Sequence, residues 1–431
     1  MYNAYITKVK NIRPAENSDN LNLCTVFSTT VVVGKDINET DLYIYFPSDG
    51  QLSVEYCAAN DLVRRKDENG NPAGGYLDPN KRNVTAIRLR GNRSDGLIMP
   101  LSSLAFTGID ISTLKEGDNF TLINGVEICR KYIPRSNKRT SNPSEGNRTR
   151  KKKNSISFPY FKEHIDTPQL RYNLSMFQPG DVICLTEKVH GTSSRNGYAL
   201  KKNKQNWLQK IFNINNNKFA LIGGTRRTIL SEDNAGYYGT NEFRYYWNKK
   251  FEKKLQKGEE VFGEIAGFYD INSPIMPTGN NKKSNDKEFI KHFGDSTTFS
   301  YGCCPKGESA PLNRYFIYRM TYTSPDGYEI EYPWDLVKLR AEQMGFETVP
   351  ELERFIYTSE EDFLKRIEKW LDKPSTIDSS HIIEGVVVRV LSSPGFKVAK
   401  EKSWNFKVIE GIIKLENDQP DMEEAQESTE E

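Results

Sequence analysis

The sequence predicts a small all-β barrel followed by a larger α+β domain with antiparallel sheets and flanking helices. Residues 1–134 hold short β-type segments separated by turns, whereas residues 156–415 alternate buried strands with amphipathic helical stretches. A charged run separates the two parts. A chain of 431 residues is also long enough for two or three separate cores.

The composition predicts a polar globular protein of a reducing compartment. Hydrophobic residues make up 36%, and no apolar run reaches the length of a membrane span, so we expect a cytoplasmic protein with no membrane partner. The first residues lack the charged and apolar regions of a secretion signal. Six cysteines and four histidines are scattered along the chain, which favours neither a disulfide framework nor a zinc site.

The net charge of +2 hides two segments of opposite sign. Residues 135–153 carry eight basic side chains against one acid, and residues 416–431 carry eight acids and no base. Like charges repel and neither segment has apolar residues to bury, so we expect both to be disordered. We interpret 135–155 as a basic linker, which can also attract phosphate, and 416–431 as an acidic tail.

The first domain is predicted to be an OB-type barrel, because its strands are short and evenly spaced and such barrels have an open groove for nucleic acid. The strand candidates are 23–27, 30–33, 42–46, 84–90 and 96–100. Arg88 and Arg90 alternate with apolar residues, which would put both guanidinium groups on one face of a strand. That face could grip RNA phosphates or could simply be solvated.

Lys188 is the most informative residue of the second domain. It follows the apolar run 182–185 directly, and Gly191 follows three residues later. A lysine at a strand end, beside a glycine that lets backbone approach a ligand, suits a covalent lysyl-phosphate site. The alternative is an ordinary surface lysine beside a turn.

Other chemistry-bearing residues follow at strand-like positions. Glu264 stands among apolar residues and needs a cation, a hydroxyl group or a metal-bound water. Glu384 opens the apolar strand 384–389, and the strand 220–227 ends in Arg226 and Arg227. The segment 164–169 could line a base pocket or form a capped turn, and Tyr318 could stack on a base or pack in the core. Helices are predicted at 242–255, at 334–344 and at 360–371, the last behind the N-cap candidate Ser359.

One reaction uses these groups together, namely attack of a lysine amine on the α-phosphorus of a nucleoside triphosphate. The amine must be neutral, although the reference pKa of lysine is about 10.4, and neighbouring cations such as Lys400 and Lys402 lower that value. A divalent cation, Mg²⁺ or Mn²⁺, held through its waters by Glu264 and Glu384, would order the pyrophosphate. The product is a lysyl-nucleotide that can pass its phosphoryl group to a polynucleotide.

The order of these motifs resembles that of the covalent nucleotidyltransferase superfamily, and in particular ATP-dependent RNA ligases with an OB domain before the nucleotidyltransferase domain. The motifs that carry the resemblance are Glu187-Lys188-Val189-His190-Gly191, Gly223-Gly224-Thr225-Arg226, Phe262-Gly263-Glu264-Ile265, Phe316-Ile317-Tyr318-Arg319, Glu384-Gly385-Val386-Val387-Val388 and Lys400-Glu401-Lys402. His190 stands where DNA ligases usually have aspartate. The first domain agrees through Ser18-Asp19-Asn20-Leu21, Phe46-Pro47-Ser48-Asp49 and Arg88-Leu89-Arg90-Gly91.

The resemblance implies a role for each matching residue. Lys188 would carry AMP within a nucleotide site that also includes Glu187 and Gly191. Arg226 would orient a phosphate or the RNA end, although Arg195 and Arg227 compete for that role as RNA-binding residues. Tyr318 would stack on adenine, and Glu264 and Glu384 would hold the metal's water shell. Lys400 and Lys402 would engage the α-phosphate, with Lys397 and Lys407 as nearby competitors.

The resemblance implies a monomer that uses ATP to join an RNA 3′-OH end to a 5′-phosphate end, and we expect its substrate to be nicked duplex RNA. One alternative is a DNA ligase or a GTP-dependent capping guanylyltransferase, which normally place an OB domain after the last lysine motif. Residues 410–431 are too few and too acidic for such a barrel. The other alternative is a non-catalytic RNA-binding protein.

Overall fold

The computed structural model describes residues 2–48, 50–66, 68, 72–132, 156–203, 218–231, 236–284, 286–305 and 310–410. The predicted linker 135–155 and acidic tail 416–431 lie outside these residues. The described chain forms two compact units, one built mainly from residues up to Tyr132 and the other mainly from Ile156 to Phe406. Within the described residues, no helix combines the length and the apolar character that crossing a membrane requires.

Short strands are the main regular elements of the first unit, as its sequence predicts. Its strands are β1 (Ala4–Thr7), β2 (Lys10–Pro14), β3 (Leu21–Val26), β4 (Thr29–Gly34), β5 (Tyr43–Phe46), β6 (Gly50–Leu52), β7 (Arg65–Lys66), β8 (Pro72–Gly74), β9 (Asn83–Val84), β10 (Ile87–Leu89), β11 (Asn92–Ser94), β12 (Leu97–Pro100), β13 (Asn119–Phe120), β14 (Leu122–Ile123), β15 (Val126–Glu127) and β16 (Cys129–Lys131). Helix α1 spans Val54–Ala59, with Ser53 as its N-cap. The larger sheets have the strand orders β12-β5-β1-β13, β2-β3-β4 and β16-β6-β9.

The hairpin that carries the predicted basic face differs from the sequence interpretation. Strand β10 ends at Leu89, and Arg90 and Gly91 form the turn to β11 with φ values of 48° and 89°. Arg90 therefore lies in a turn and not in the strand, and its Nη1 lies 3.5 Å from the carbonyl oxygen of Asn17. The expectation that Arg88 and Arg90 share one strand face was wrong, because alternation along a strand stops where the turn begins.

The described part of the second unit contains two main sheets, which are antiparallel except where β27 pairs parallel with β25, and a small sheet of β23 and β24. Its strands are β17 (Ile156–Ser157), β18 (Val182–Lys188), β19 (Thr192–Asn203), β20 (Lys218–Gly224), β21 (Glu259–Asp270), β22 (Ser273–Pro274), β23 (Gly279–Asn280), β24 (Ser296–Thr297), β25 (Asn313–Thr323), β26 (Glu329–Glu331), β27 (Glu347–Thr348), β28 (Glu351–Ile356), β29 (Gly385–Val390) and β30 (Val398–Lys402). The larger sheet follows the order β17-β19-β21-β25-β26, and the smaller one the order β28-β18-β29-β30.

The helices agree largely with the sequence. They are α2 (Glu242–Lys250), α3 (Lys287–Phe293), α4 (Trp334–Met344), α5 (Glu360–Glu368) and α6 (Trp404–Ile409). Helix α4 has the predicted bounds, and α5 begins behind Ser359, whose hydroxyl accepts a hydrogen bond from the Asp362 N–H. Helix α2 ends five residues before the predicted Leu255, and Lys253 beyond it has a φ of 63°, which an α-helix does not allow.

The smaller sheet has one apolar face and one polar face, because side chains alternate along each strand. Ile183 and Leu185 of β18 are buried with Val386 and Val388 of β29 in a core that also includes Phe363 of α5. The residues between them point to the opposite face. That face carries Thr186, Lys188, Val387, Arg389 and Lys400, all of which line one cavity.

Candidate functional site

The cavity of the second unit is walled by both sheets and encloses about 670 Å³, counting the part open to solvent. The smaller sheet supplies the wall just described. The larger sheet contributes Ser193 from β19, Glu264 from β21 and Tyr318 from β25. The remaining lining residues come from the connecting segments and strand ends, and they are His164, Thr167, Glu187, Val189, Arg226, Val349 and Phe396.

Lys188, Glu384 and Lys402 form one ionic cluster at the edge of the smaller sheet. Lys188 pairs in register with Gly385, and Gly385 pairs with Lys402 on its other side. Glu384 precedes Gly385, and its Oε1 lies 2.7 Å from Lys188 Nζ and 3.1 Å from Lys402 Nζ. The carboxylate is fully buried, while the Lys188 side chain retains 15% exposure. The register of three strands thus places two amines on one carboxylate.

Gly385 is required for this register because there is no room for a side chain. A Cβ at position 385 would lie 2.1 Å from the carbonyl oxygen of Glu401. The hydrogen-bonded strands β29 and β30 could not keep their spacing around such an atom. The glycine therefore allows Glu384 and Lys402 to approach each other.

His190 completes the ionic cluster from the turn after β18. Its Nδ1 lies 3.6 Å from Glu384 Oε2, and its ring is packed edge-on between Phe299 and Phe406 at 4.7 and 4.8 Å. The side chain is 1% exposed. Two aromatic rings thus pack against the imidazole beside the carboxylate.

Glu264 and Tyr318 face the cavity from the larger sheet. Glu264 pairs in register with Ser193, whose hydroxyl lies 3.5 Å from Glu264 Oε2. Strand β25 bulges at Tyr318, because Arg319 pairs with Phe262 and Ile317 pairs with the next residue of β21. Bulges re-aim side chains beside functional sites. Burial, and then the charge of Glu264, raise the pKa of Tyr318, so its hydroxyl stays neutral.

His164 lies against Tyr318, with their ring centroids 5.2 Å apart and the rings edge to face. Burial, followed by the charges of Arg226 and other cations, holds the pKa of His164 well below its ordinary value. The imidazole is therefore neutral at physiological pH. Together with Thr167 it puts the segment 164–169 on the cavity wall, as one of the two sequence interpretations expected.

The three candidate arginines occupy different environments. Arg226 lines the cavity and forms an ion pair with Asp166. Arg227 is exposed on the same turn and is not among the cavity-lining residues. Arg195 is 1% exposed, and its guanidinium donates hydrogen bonds to the carbonyl oxygens of Thr225 and Lys162. A guanidinium used in this way supports the turn that carries Arg226, so the geometry does not favour RNA contact by Arg195.

Glu187 and Gly191 have close protein neighbours that the sequence interpretation did not include. The Glu187 carboxylate accepts hydrogen bonds from Ser375 Oγ at 2.5 Å and from Thr376 Oγ1 at 2.6 Å. A Cβ at Gly191 would lie 2.3 Å from the carbonyl oxygen of Ile265. The glycine therefore admits strand β21 rather than a ligand, and the carboxylate holds a neighbouring turn. Short motifs do not reveal these partners, because they lie far along the chain.

The cavity also contains residues that the sequence interpretation missed. Arg389 is 7% exposed, its Nε donates to Thr186 Oγ1 at 3.3 Å, and its guanidinium lies 4.5 Å from the ring centroid of Trp334. Burial lowers the pKa of Arg389 to about 10. Phe396, on the β29–β30 connection, packs 4.5 Å from the Arg319 guanidinium. Strand alternation from Val387 could have identified Arg389.

The lysines that the sequence left as alternatives occupy different environments. Lys400 lines the cavity, and Lys402 contacts Glu384 as described above. Lys397 instead pairs with Asp181 at 3.2 Å, and Lys407 lies on α6, beyond the end of β30. Alternation along β30 explains this difference, because residues 400 and 402 share a face while Glu401 points away to Arg171 at 2.5 Å.

Glu264 and Glu384 fit a divalent cation that is bound mainly through water. Both are buried carboxylates, and carboxylate oxygens are the ligands that Mg²⁺ and Mn²⁺ prefer. Within the described ranges there is no cluster of three or more His, Cys, Asp or Glu side chains that could hold a metal by themselves. The donor set therefore suits an ion that keeps most of its water shell and also binds substrate phosphates.

Glu260 gives the second unit a pH-dependent stability. Burial raises its pKa from an ordinary 4.5 to about 8, despite the opposing effects of Arg195 and the Lys162 N–H. The folded protein therefore holds this proton more tightly than the unfolded chain does. The resulting stabilisation is complete below pH 4.5 and is lost as the pH rises through about 8. We expect the unfolding temperature of Glu260→Gln, relative to the parent protein, to rise between about pH 5.5 and about pH 8.5.

Thermal unfolding at several pH values checks this expectation, with the surface substitution Glu368→Gln as the control. The control should follow the parent protein across the range. A Glu260→Gln curve parallel to that of the parent would show that Glu260 does not titrate differently in the two states.

Comparison with known proteins identifies the family. The family model for RNA ligase matches residues 181–409, which is more than half of the chain. No curated protein sequence gave a significant match. Solved structures of Naegleria gruberi RNA ligase share the fold. A lysine-to-alanine variant with ATP and Mn has a TM-score of 0.57 at 16% identity, covering 93% of this chain and 96% of that chain.

Two further structures of the same Naegleria enzyme agree. A glutamate-to-alanine variant with ATP and Mn has a TM-score of 0.56 at 17% identity, covering 94% of this chain and 97% of that chain. A lysine-to-methionine variant with AMP and Mn has a TM-score of 0.54 at 17% identity, with 93% and 96% covered. The fold is therefore nucleotidyltransferase-like, and the chain belongs to the RNA ligase family.

Proposed function

We propose that this RNA ligase uses ATP to join a 3′-OH RNA end to a 5′-phosphate end at nicks in duplex RNA. The observation that carries the proposal is the position of Lys188, whose amine enters the cavity beside Glu384 and Lys402. An amine placed among cations and a carboxylate suits attack on a phosphoryl group. Membership of the RNA ligase family supports the choice of polynucleotide.

The proposed reaction has three phosphoryl transfers. The neutral Lys188 amine attacks the α-phosphorus of ATP and loses a proton to solvent as the P–N bond forms, and pyrophosphate leaves with the electron pair of the broken P–O bond. A 5′-phosphate oxygen of RNA then attacks the same phosphorus and releases the lysine. Finally the 3′-OH attacks the RNA 5′-phosphorus, loses its proton, and displaces AMP.

Several other residues in or beside the cavity have proposed tasks. Tyr318 offers its ring to the adenine, beside the neutral ring of His164. Lys400 and Lys402 neutralise charge on the α-phosphate, and Arg226 orients a phosphate or the RNA end. Glu264 and Glu384 would hold a divalent cation, which when bound supplies charge neutralisation for the triphosphate.

The choice of ATP and of a divalent cation is supported by the relatives. Structures of the Naegleria enzyme contain ATP and Mn, or AMP and Mn, and another contains pyrophosphate. These ligands are those of the Naegleria enzyme. We infer the same substrate class here because the cavity of this chain combines amines, carboxylates and an aromatic ring.

We further propose that residues 1–134 form an OB-type RNA-binding domain and that residues 156–415 form the catalytic domain of a monomer. The many short strands of the first unit support the first part. Arg88 and Arg90, at the β10–β11 hairpin, and the exposed Arg227 are the proposed RNA contacts. Such contacts would act on phosphates and would weaken with salt.

Nick sealing tests the substrate. We expect a nicked duplex with a ribonucleotide at the 3′-OH end to be sealed at least ten times faster than the same nick with a deoxyribonucleotide there. The reason is that the 2′-OH is what distinguishes RNA from DNA. The measurement is gel-resolved sealing of two duplexes that differ only in that terminal sugar.

Incubation with α-labelled ATP or GTP separates the alternatives in the same preparation. Label from ATP alone fits a ligase, whereas label from GTP alone would favour a capping guanylyltransferase. Equal sealing of both nicks would favour a DNA ligase, and no labelling at all would favour a non-catalytic RNA-binding protein.

A further inference from the structure

A short loop outside the cavity holds the turn that follows Lys188. The ring of Phe299 contacts the His190 ring edge-on at 4.7 Å. Two residues later, the Tyr301 hydroxyl accepts a hydrogen bond from the His190 backbone N–H at 2.6 Å. Phe299 is 2% exposed and Tyr301 is fully buried. Loop 299–301 therefore fixes both the ring and the backbone of His190.

This loop is itself held by Asp378. The carboxylate accepts hydrogen bonds from Ser300 Oγ at 2.5 Å and from the Gly302 N–H at 2.9 Å. Burial alone would raise the pKa of Asp378, but these hydrogen bonds, with those from Ser380, hold it well below its ordinary value. Asp378 is thus a carboxylate at all physiological pH values, and its bonds to the loop are charge-assisted.

Glu187 holds the turn 375–378, which carries Asp378. As described above, the Glu187 carboxylate binds Ser375 and Thr376, and the Thr376 N–H adds a third hydrogen bond at 2.9 Å. Glu187 directly precedes Lys188. These contacts therefore connect β18 to turn 375–378, this turn to loop 299–301, and this loop to His190.

We propose that Tyr301 and Asp378 are positioning residues that hold the Lys188–His190 segment in the geometry needed for lysine adenylylation. These contacts hold the chain at Glu187, one residue before the nucleophile, and at His190, two residues after it. A covalent transfer depends steeply on such placement, since an error of about 1 Å can cost about a hundredfold in rate. Neither side chain is among the cavity-lining residues, so both act through the turn rather than on ATP.

Tyr301 suits a holding role better than a proton-transfer role. Burial, and then the charge of Glu187, raise its pKa well above the ordinary value. The hydroxyl therefore keeps its proton at neutral pH while one of its lone pairs accepts the His190 N–H. Removal of the oxygen alone leaves a buried N–H without an acceptor, which is costly.

The test is single-turnover formation of lysyl-AMP by Tyr301→Phe and Asp378→Asn in the full chain, and it rests on the proposed function. We expect Tyr301→Phe to adenylylate about ten to a hundred times more slowly, while the ATP concentration for half-maximal rate changes by less than about twofold. Asp378→Asn should show the same pattern with a smaller loss. A purely structural role would not separate the rate from the ATP dependence in this way.

Tyr56→Phe is the matched control, because Tyr56 is also buried and its hydroxyl makes one hydrogen bond, at 2.7 Å, to Ser103 of the first unit. It should lose a similar amount of thermal stability and adenylylate at the parent rate. The proposal is overturned if both test variants match the parent rate, or if Tyr56→Phe is slowed equally. If Tyr301→Phe fails to fold, Asp378→Asn decides between the same outcomes. Absence of label on the parent protein would instead contradict the proposed function.

Discussion

Lys188→Ala is expected to abolish the transfer of label from α-labelled ATP to the protein. The amine is the proposed nucleophile, and an alanine side chain has no atom that can form the P–N bond. Loss of label below detection corresponds to a decrease of at least about a thousandfold. The measurement is radiolabel that remains with the denatured polypeptide on a gel after incubation with ATP and a divalent cation.

Two controls make this result specific. Lys397→Ala should label like the parent protein, because Lys397 pairs with Asp181 and is outside the cavity-lining set. RNA supplied with a 5′-adenylate already attached should still be sealed by Lys188→Ala, since both steps that involve the amine have been bypassed. Normal labelling of Lys188→Ala would place the nucleophile elsewhere in the chain.

Glu384→Ala is expected to have the second largest effect, and it should affect both activity and stability. Its carboxylate is fully buried and contacts the amines of Lys188 and Lys402. Removal of one member of a buried ion pair costs about 3–5 kcal/mol, because the remaining charge has lost its compensation. Here two amines are affected. We also expect adenylylation to fall at least about a hundredfold, since the direction of the nucleophile depends on this carboxylate.

Urea unfolding and single-turnover labelling together check the Glu384 prediction. Glu353→Ala is the matched control, because Glu353 is an ion-paired glutamate of the same sheet that contacts Arg366 at 2.6 Å. Its described partners are Arg366, Lys369 and Trp370 rather than Lys188 and Lys402, so it should label at the parent rate. Parent-like labelling by Glu384→Ala would show that its charge does not direct the Lys188 amine.

The sequence named three residues of the smaller sheet that the fold brings together, although Lys397 and Lys407 remained alternatives to one of them. Lys188, Glu384 and Lys402 stand at the ends of apolar strands, where alternation and the motif order limit the possible positions. The predicted helix 334–344 was confirmed for a similar reason, because its apolar period and the following glycine are local features. Local patterns thus predicted the type of these elements and the order of the motifs along the chain.

Long-range partners could not be predicted in this way. Nothing near Glu187 indicates that its carboxylate binds Ser375 and Thr376, which lie almost two hundred residues further on. In the sequence Arg195 resembles an exposed phosphate ligand. In the structure its guanidinium is buried and donates hydrogen bonds to backbone carbonyl oxygens. Loop 299–301 has no motif at all, and only the fold brings it to His190.

The in-register row of Lys188, Gly385 and Lys402 has a consequence for biosynthesis. Translation produces the nucleophile about halfway through the chain, but the second amine of the cluster lies on β30, which begins only at Val398. A ribosome-bound chain that stops before β30 would carry the reactive lysine without its full surroundings. A chain truncated before Val398 should therefore lack the second of the two amines that contact Glu384.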